Sequence, residues 1–298
     1  MEKHIEDMQF ADYYGFKNPF MLNGMNEALK RIISAVNDRK KIVIYGQYNV
    51  DGITAISLLM LVLKYLNADV EYFIPDKGDD EISGEAVGSY IKFLGASLMI
   101  TVGCGANSYE EVELCKTLKI DVIITDYHKC SGKRPRTIII NPNDDESIYP
   151  YKGLTGVGVA YKLAQAIGSY YRMKSISKYL DIVMLGTISA AHDLKDENKE
   201  ILTRGISHLE CTHSYGMRAL MKVNDIDCKN IGIKDIKKLI RNLMPVYNPS
   251  RVTDNARIAV ELLITSNSDR AEQIAKYLKN ETKFIKVISQ NDMESWIC

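Results

Sequence analysis

The sequence predicts an α/β fold: a doubly wound, mostly parallel five-stranded sheet with a helical C-terminal extension. Three observations carry this reading. Short apolar, β-branched runs alternate with segments of helical period between residues 41 and 140. Strands alternating with amphipathic helices at that spacing build parallel, doubly wound sheets. Beyond residue 215 the chain is rich in helical period and shows no further strand–helix units.

Taken in order, residues 1–40 read as a helical lead-in, with Met25, Leu29, Ile32, Ile33 and Val36 at helical spacing. The run 41–45 is the first strand, 46–52 a glycine-bounded loop and 53–66 an apolar helix. A second strand at 70–74 leads into a charged loop at 76–81, then a helix at 85–94. A third strand, 97–102, ends at Gly103-Cys104-Gly105 and is followed by a helix at 109–118. The fourth strand is 122–125. The fifth, 137–140, is stopped by Asn141-Pro142. Helices are expected at 158–167, 179–190 and 200–209, and amphipathic ones at 253–263 and 269–283. The expected organisation is a lead-in over 1–40, an α/β domain over 41–215 and a helical region over 216–298.

The 298 residues suffice for one large domain or two modest ones, and 46% hydrophobic content supports a substantial core without disulfides. Lys+Arg and Asp+Glu are both 38, so overall charge gives no push toward nucleic acid or membrane. Any nucleic-acid surface must come from local patches. None of the six cysteines forms a C-x-x-C pair, which argues against a zinc ribbon and for free thiols in a reducing compartment. The first residues carry acids and no apolar signal segment. No run approaches the roughly 20 apolar residues that span a bilayer. A cytoplasmic location follows by default.

Chemistry in such sheets sits at the carboxyl ends of the strands. Residues 46–51, 103–105 and 126–128 all lie there and should converge. In Gly46-Gln47-Tyr48-Asn49-Val50-Asp51-Gly52, closely spaced acids would suit a divalent metal, yet only Asp51 is an acid. Its plainer role is to cap the helix expected at residue 53. In Thr125-Asp126-Tyr127-His128, Asp126 and His128 suit Mn²⁺ or Zn²⁺, or form a structural hydrogen-bonded pair. In Gly153-Leu154-Thr155-Gly156-Val157-Gly158, the glycines Gly156 and Gly158 either present backbone N–H groups to a phosphate or make a tight turn.

As an ordered set, these segments resemble the RecJ branch of the DHH phosphoesterase family, from about residue 41 to about residue 283. The family motif G-D-Y-D-x-D-G-I-T-A stands here as Gly46-Gln47-Tyr48-Asn49-Val50-Asp51-Gly52-Ile53-Thr54-Ala55. T-V-D-C-G stands as Thr101-Val102-Gly103-Cys104-Gly105, and D-H-H as Asp126-Tyr127-His128. Ile140-Asn141-Pro142-Asn143 and the stretch 154–163 follow the family closely. Leu185-Gly186-Thr187-Ile188-Ser189-Ala190 stands where it has G-T-I-A-D. Pro245, Asn248 and Arg251 echo a later P-R-I-N-A-x-G-R element.

The resemblance implies stepwise 5′→3′ hydrolysis of single-stranded DNA by two divalent ions, Mn²⁺ or Mg²⁺. It also implies where this chain departs. Asn49, Gly103, Tyr127 and Ala190 each replace an expected ligand, and Gln47 replaces a further acid. Asp51, Asp126 and His128 remain as the catalytic and metal-binding remnant, with Asn49, His192 and Asp193 as substitutes. Gly156, Gly158, Lys77 and Arg251 are the phosphate-binding candidates. Acids surround Lys77 and would repel DNA phosphates. No G-G-H motif of the family's substrate-closing second domain occurs. Three readings follow. The first is a catalytically degenerate protein that binds single-stranded DNA weakly or a protein partner. The second is a phosphoesterase with a reduced ligand set. The third is a broken gene copy, or one part of a split protein whose partner subunit is the missing second domain.

Overall fold

Alternation along the strands sets the layers. In β1, Ile42–Gly46, residues Ile42 and Ile44 face one side of the sheet while Val43 and Tyr45 face the other. The computed structural model describes residues 15–75, 81–245 and 255–288. Strands β2 (Val70–Phe73), β3 (Leu98–Val102), β4 (Asp121–Thr125) and β5 (Ile138–Ile140) complete the sheet in the order β2-β1-β3-β4-β5. Every pairing is parallel, with Gly46 beside Val102 and Val102 beside Thr125. The carboxyl ends of β1, β3 and β4 therefore lie level, as the sequence requires.

On the first face pack α1 (Met25–Asn37), α2 (Val50–Tyr65), α5 (Gly156–Tyr170) and α6 (Leu180–Ala190). Helix α2 is apolar nearly all round and lies buried at the centre, against α5 and α6. A Cβ on Gly186 of α6 would collide with Thr54 Oγ1, so glycine sets the close α2–α6 approach. The second face is covered by α3 (Gly84–Ala86), which continues as a π-helical turn over Val87–Ile91, and by α4 (Tyr109–Thr117). Then follow α7 (Asp196–Glu210), α8 (Tyr215–Val223), α9 (Ile233–Leu243), α10 (Asn255–Ile264) and α11 (Ser268–Ile288). The apolar cluster of the first face runs on through these helices to Leu278, with α10 packed on α2.

Two local expectations change. The helix after β1 starts at Val50, not residue 53, because Asn49 caps it: its side-chain oxygen accepts from Gly52 N at 2.7 Å. The segment expected as one helix over 85–94 carries the π-helical turn. Cys104, Cys115, Cys130, Cys211 and Cys228 are free thiols. Among the described residues no helix is long and apolar enough to cross a membrane.

A buried carboxylate links α6 to the turn after α7. Asp181 accepts from Ile182 N at 2.8 Å and from the Thr212 hydroxyl at 2.5 Å. Burial raises its pKa to about 6 against those lowering bonds. The folded state thus takes up the Asp181 proton first as pH falls, and this group adds stability as pH drops from 6 toward 4. Asp181→Asn removes that term. Urea unfolding should show the stability of the variant relative to wild type falling by about 2 kcal/mol between pH 7 and pH 4.

Candidate metal centre at the strand ends

The three strand-end segments do converge. Gly103 N donates to Thr125 O at 2.8 Å, tying the end of β3 to β4. Gly103 has φ +74°, and a Cβ there would lie 3.3 Å from Gln47 Oε1 and 3.8 Å from Gly156 Cα. A Cβ on Gly156 would lie 2.6 Å from Asp51 Oδ2 and 3.0 Å from Gly103 Cα. The loop after β1, the loop after β3 and the start of α5 are thus packed backbone to backbone.

Asp51 is buried in the first turn of α2, but it does not cap that helix. Its two carboxylate oxygens accept from the backbone of another one: Gly156 N at 2.8 Å and Val157 N at 2.9 Å, the opening amides of α5. A carboxylate is favoured at a helix N-terminus by the dipole and the free N–H groups. Burial still raises the Asp51 pKa to about 6, opposed by those two amides, the Thr155 side chain and His128. Gly158 N bonds to Thr155 Oγ1 at 3.4 Å. The amides of Gly156 and Gly158 expected to meet a phosphate therefore have partners inside the chain.

Asp126 likewise accepts on both oxygens. One oxygen accepts from Ala106 N at 2.8 Å. The other meets Tyr127 N at 2.7 Å, His128 N at 3.1 Å and His128 Nδ1 at 2.8 Å. This bond to Asp126 raises the His128 pKa, and the charges of Glu81 and Asp51 add to it. Asn141 and Asn143 staple the loop from below, their amides donating to His128 O at 2.8 Å and Tyr127 O at 2.7 Å. Asn49 uses both ends of its amide, with Nδ2 donating to Gln47 Oε1 at 3.1 Å.

Glu81 belongs to this end of the sheet and was not anticipated as a site residue. It folds onto the loop after β3, accepting from Gly105 N at 2.8 Å, Ser108 Oγ at 3.0 Å and Asn107 Nδ2 at 3.2 Å. The sequence carries no local signal for this, since its partners lie 24 to 27 positions away. His192 and Asp193 are exposed after α6, and Asp193 pairs with Lys195 at 3.1 Å. Lys77 and Arg251 lie outside the described residues.

The "DHH family, N-terminal domain" profile matches residues 41–187. The chain is a RecJ-like member of the DHH family. It is 36% identical over 274 residues to the single-stranded-DNA-specific exonuclease RecJ of Bacillus subtilis, covering 91% of this chain and 33% of that relative. The RecJ of Salmonella typhimurium is 30% identical, over 90% of this chain and 49% of its own length. The chain thus spans a third to a half of these relatives. A RecJ crystal structure bound to manganese superposes with a TM-score of 0.80 at 24% identity, over 90% of this chain and 68% of that one.

RecJ structures of this fold hold Mn²⁺ or Mg²⁺, and the strand-end side chains of this chain do not fit such an ion. Among the described residues no three His, Cys, Asp or Glu side chains come together as a metal-holding group. Asp126 and His128 meet each other, and Asp51 faces the amides of α5. His192 and Asp193 do not complete a set. Gly103 and Ala190 offer no side-chain ligand, and the Asn49 amide oxygen is turned to Gly52 N as a helix cap.

Proposed function

We propose that this RecJ-like DHH protein is catalytically silent and acts by binding, with the strand-end residues kept for structure. One observation supports the reading: both oxygens of each remaining strand-end carboxylate already accept hydrogen bonds from within the chain, where a two-metal site needs carboxylate faces turned to the ions. Two divalent ions bring four positive charges. Asp51, Asp126 and one imidazole do not balance them. The relatives named as single-stranded-DNA-specific exonucleases make single-stranded nucleic acid the binding partner to test first.

Incubating purified protein with Mn²⁺ and end-labelled single-stranded DNA should release no nucleotides above a protein-free control. Release that depends on Mn²⁺ and disappears in Asp51→Ala and Asp126→Ala variants would overturn the reading.

A further inference from the structure

Helix α9, Ile233–Leu243, lies beyond the residues matched by the family profile and divides sharply into two faces. Ile236, Leu239, Asn242 and Leu243 are buried, and Asn242 is tied to Asn224 at 2.6 Å and Thr282 at 2.9 Å. The outer face carries Lys234, Lys237, Lys238 and Arg241 against a single acid, Asp235, which pairs with Lys238 at 2.8 Å. Lys234, Lys237 and Arg241 are exposed and form no ion pair among the described residues. In a chain whose cations and acids balance at 38 each, this is a local concentration of unneutralised charge. The acids of the preceding turn, Asp225 and Asp227, are engaged elsewhere: Asp225 lies 4.0 Å from Lys279, and Asp227 accepts from Lys229 N.

At about 1.5 Å rise per residue, Lys234, Lys237 and Arg241 form a row about 10 Å long along the helix. Ile233 and Met244, 46% and 55% exposed, stand at its two ends, with only the half-buried Ile240 as a partly exposed apolar side chain between them. Such a row fits a polymer of regularly spaced anions. A protein partner would bury an apolar core, and here the exposed apolar side chains stand apart at the two ends of the row. We propose that the outer face of α9 binds the phosphate backbone of single-stranded nucleic acid. This rests on the reading that the protein binds rather than cuts, and it assigns that binding to a surface the strand ends do not supply.

The test is fluorescence anisotropy with a labelled oligo-dT, in EDTA, from 50 to 200 mM salt. The triple variant K234Q/K237Q/R241Q should bind about tenfold more weakly at the lowest salt, and its log–log salt slope should be shallower by about two. The charge-conserving K234R/K237R/R241K variant should bind like wild type. Unchanged affinity and slope in the glutamine variant would overturn the proposal, as would no wild-type binding at 50 mM salt. So would loss of binding in the charge-conserving variant. Competition by polyglutamate as strong as by DNA of equal charge would overturn the choice of partner. Chelation removes metal-dependent cleavage from this assay, so its failure is separable from failure of the non-cutting reading, which the nucleotide-release assay judges.

Discussion

Glu197→Ala should lower the unfolding free energy by about 3–5 kcal/mol, measured by urea denaturation at neutral pH. Glu197 and Lys162 are both fully buried and form an ion pair between α7 and α5. The same carboxylate accepts from the Tyr149 hydroxyl at 2.6 Å and from Lys17 N at 2.9 Å, while Lys162 Nζ donates to Lys17 O at 2.8 Å. One acid thus ties α7, α5, the loop before α5 and the N-terminal segment. Burial pulls the Lys162 pKa down to about 8 despite the neighbouring carboxylate, so the ammonium is charged at neutral pH. Removing Glu197 leaves that charge buried without its counter-ion, held only by Lys17 O, and the Tyr149 hydroxyl without its acceptor, and this mispairing is the source of the large loss. Replacing both partners, as in K162M/E197L, should cost less than Glu197→Ala alone.

Asp51→Ala should cost about 2–4 kcal/mol, because it strands the buried N–H groups of Gly156 and Val157 at the start of α5. Deleting a carboxylate whose burial is unfavourable offsets part of this loss. Asp51→Asn keeps one acceptor oxygen and should lose less. The informative comparison is with metal. If Asp51 held an ion, Mn²⁺ would stabilise wild type by mass action and widen the gap to the variant. The gap should instead be the same in EDTA and in Mn²⁺.

Much of this was legible in the sequence, and the rest failed for one physical reason. The five strands and their crossover helices follow from β-branched runs and helical period, which are local signals. The convergence of Gly46–Asp51, Gly103–Gly105 and Asp126–His128 follows from parallel topology alone. The motif order also points to the family, in agreement with the profile match and the RecJ relatives. What escaped was partner choice across distance. Asp51 reads locally as a cap for its own helix, yet it caps one that starts 105 residues later. Asn49 reads as a weakened ligand, and it is the cap that Asp51 was expected to be. Glu81 reads as one acid among several that repel phosphate, but it turns inward onto the loop after β3. The ladder of asparagines 141 and 143 lay within a family-like stretch, without any sign that their amides hold the Asp126–His128 backbone.

The most direct test of the claim that the strand ends have become structural is a calorimetric titration of wild-type protein with Mn²⁺. No saturable binding tighter than about millimolar is expected, since both carboxylates are hydrogen-bonded within the chain and the charge of two ions is unbalanced. Two ions bound in the micromolar range, both lost in Asp51→Ala and Asp126→Ala variants that remain folded, would contradict it.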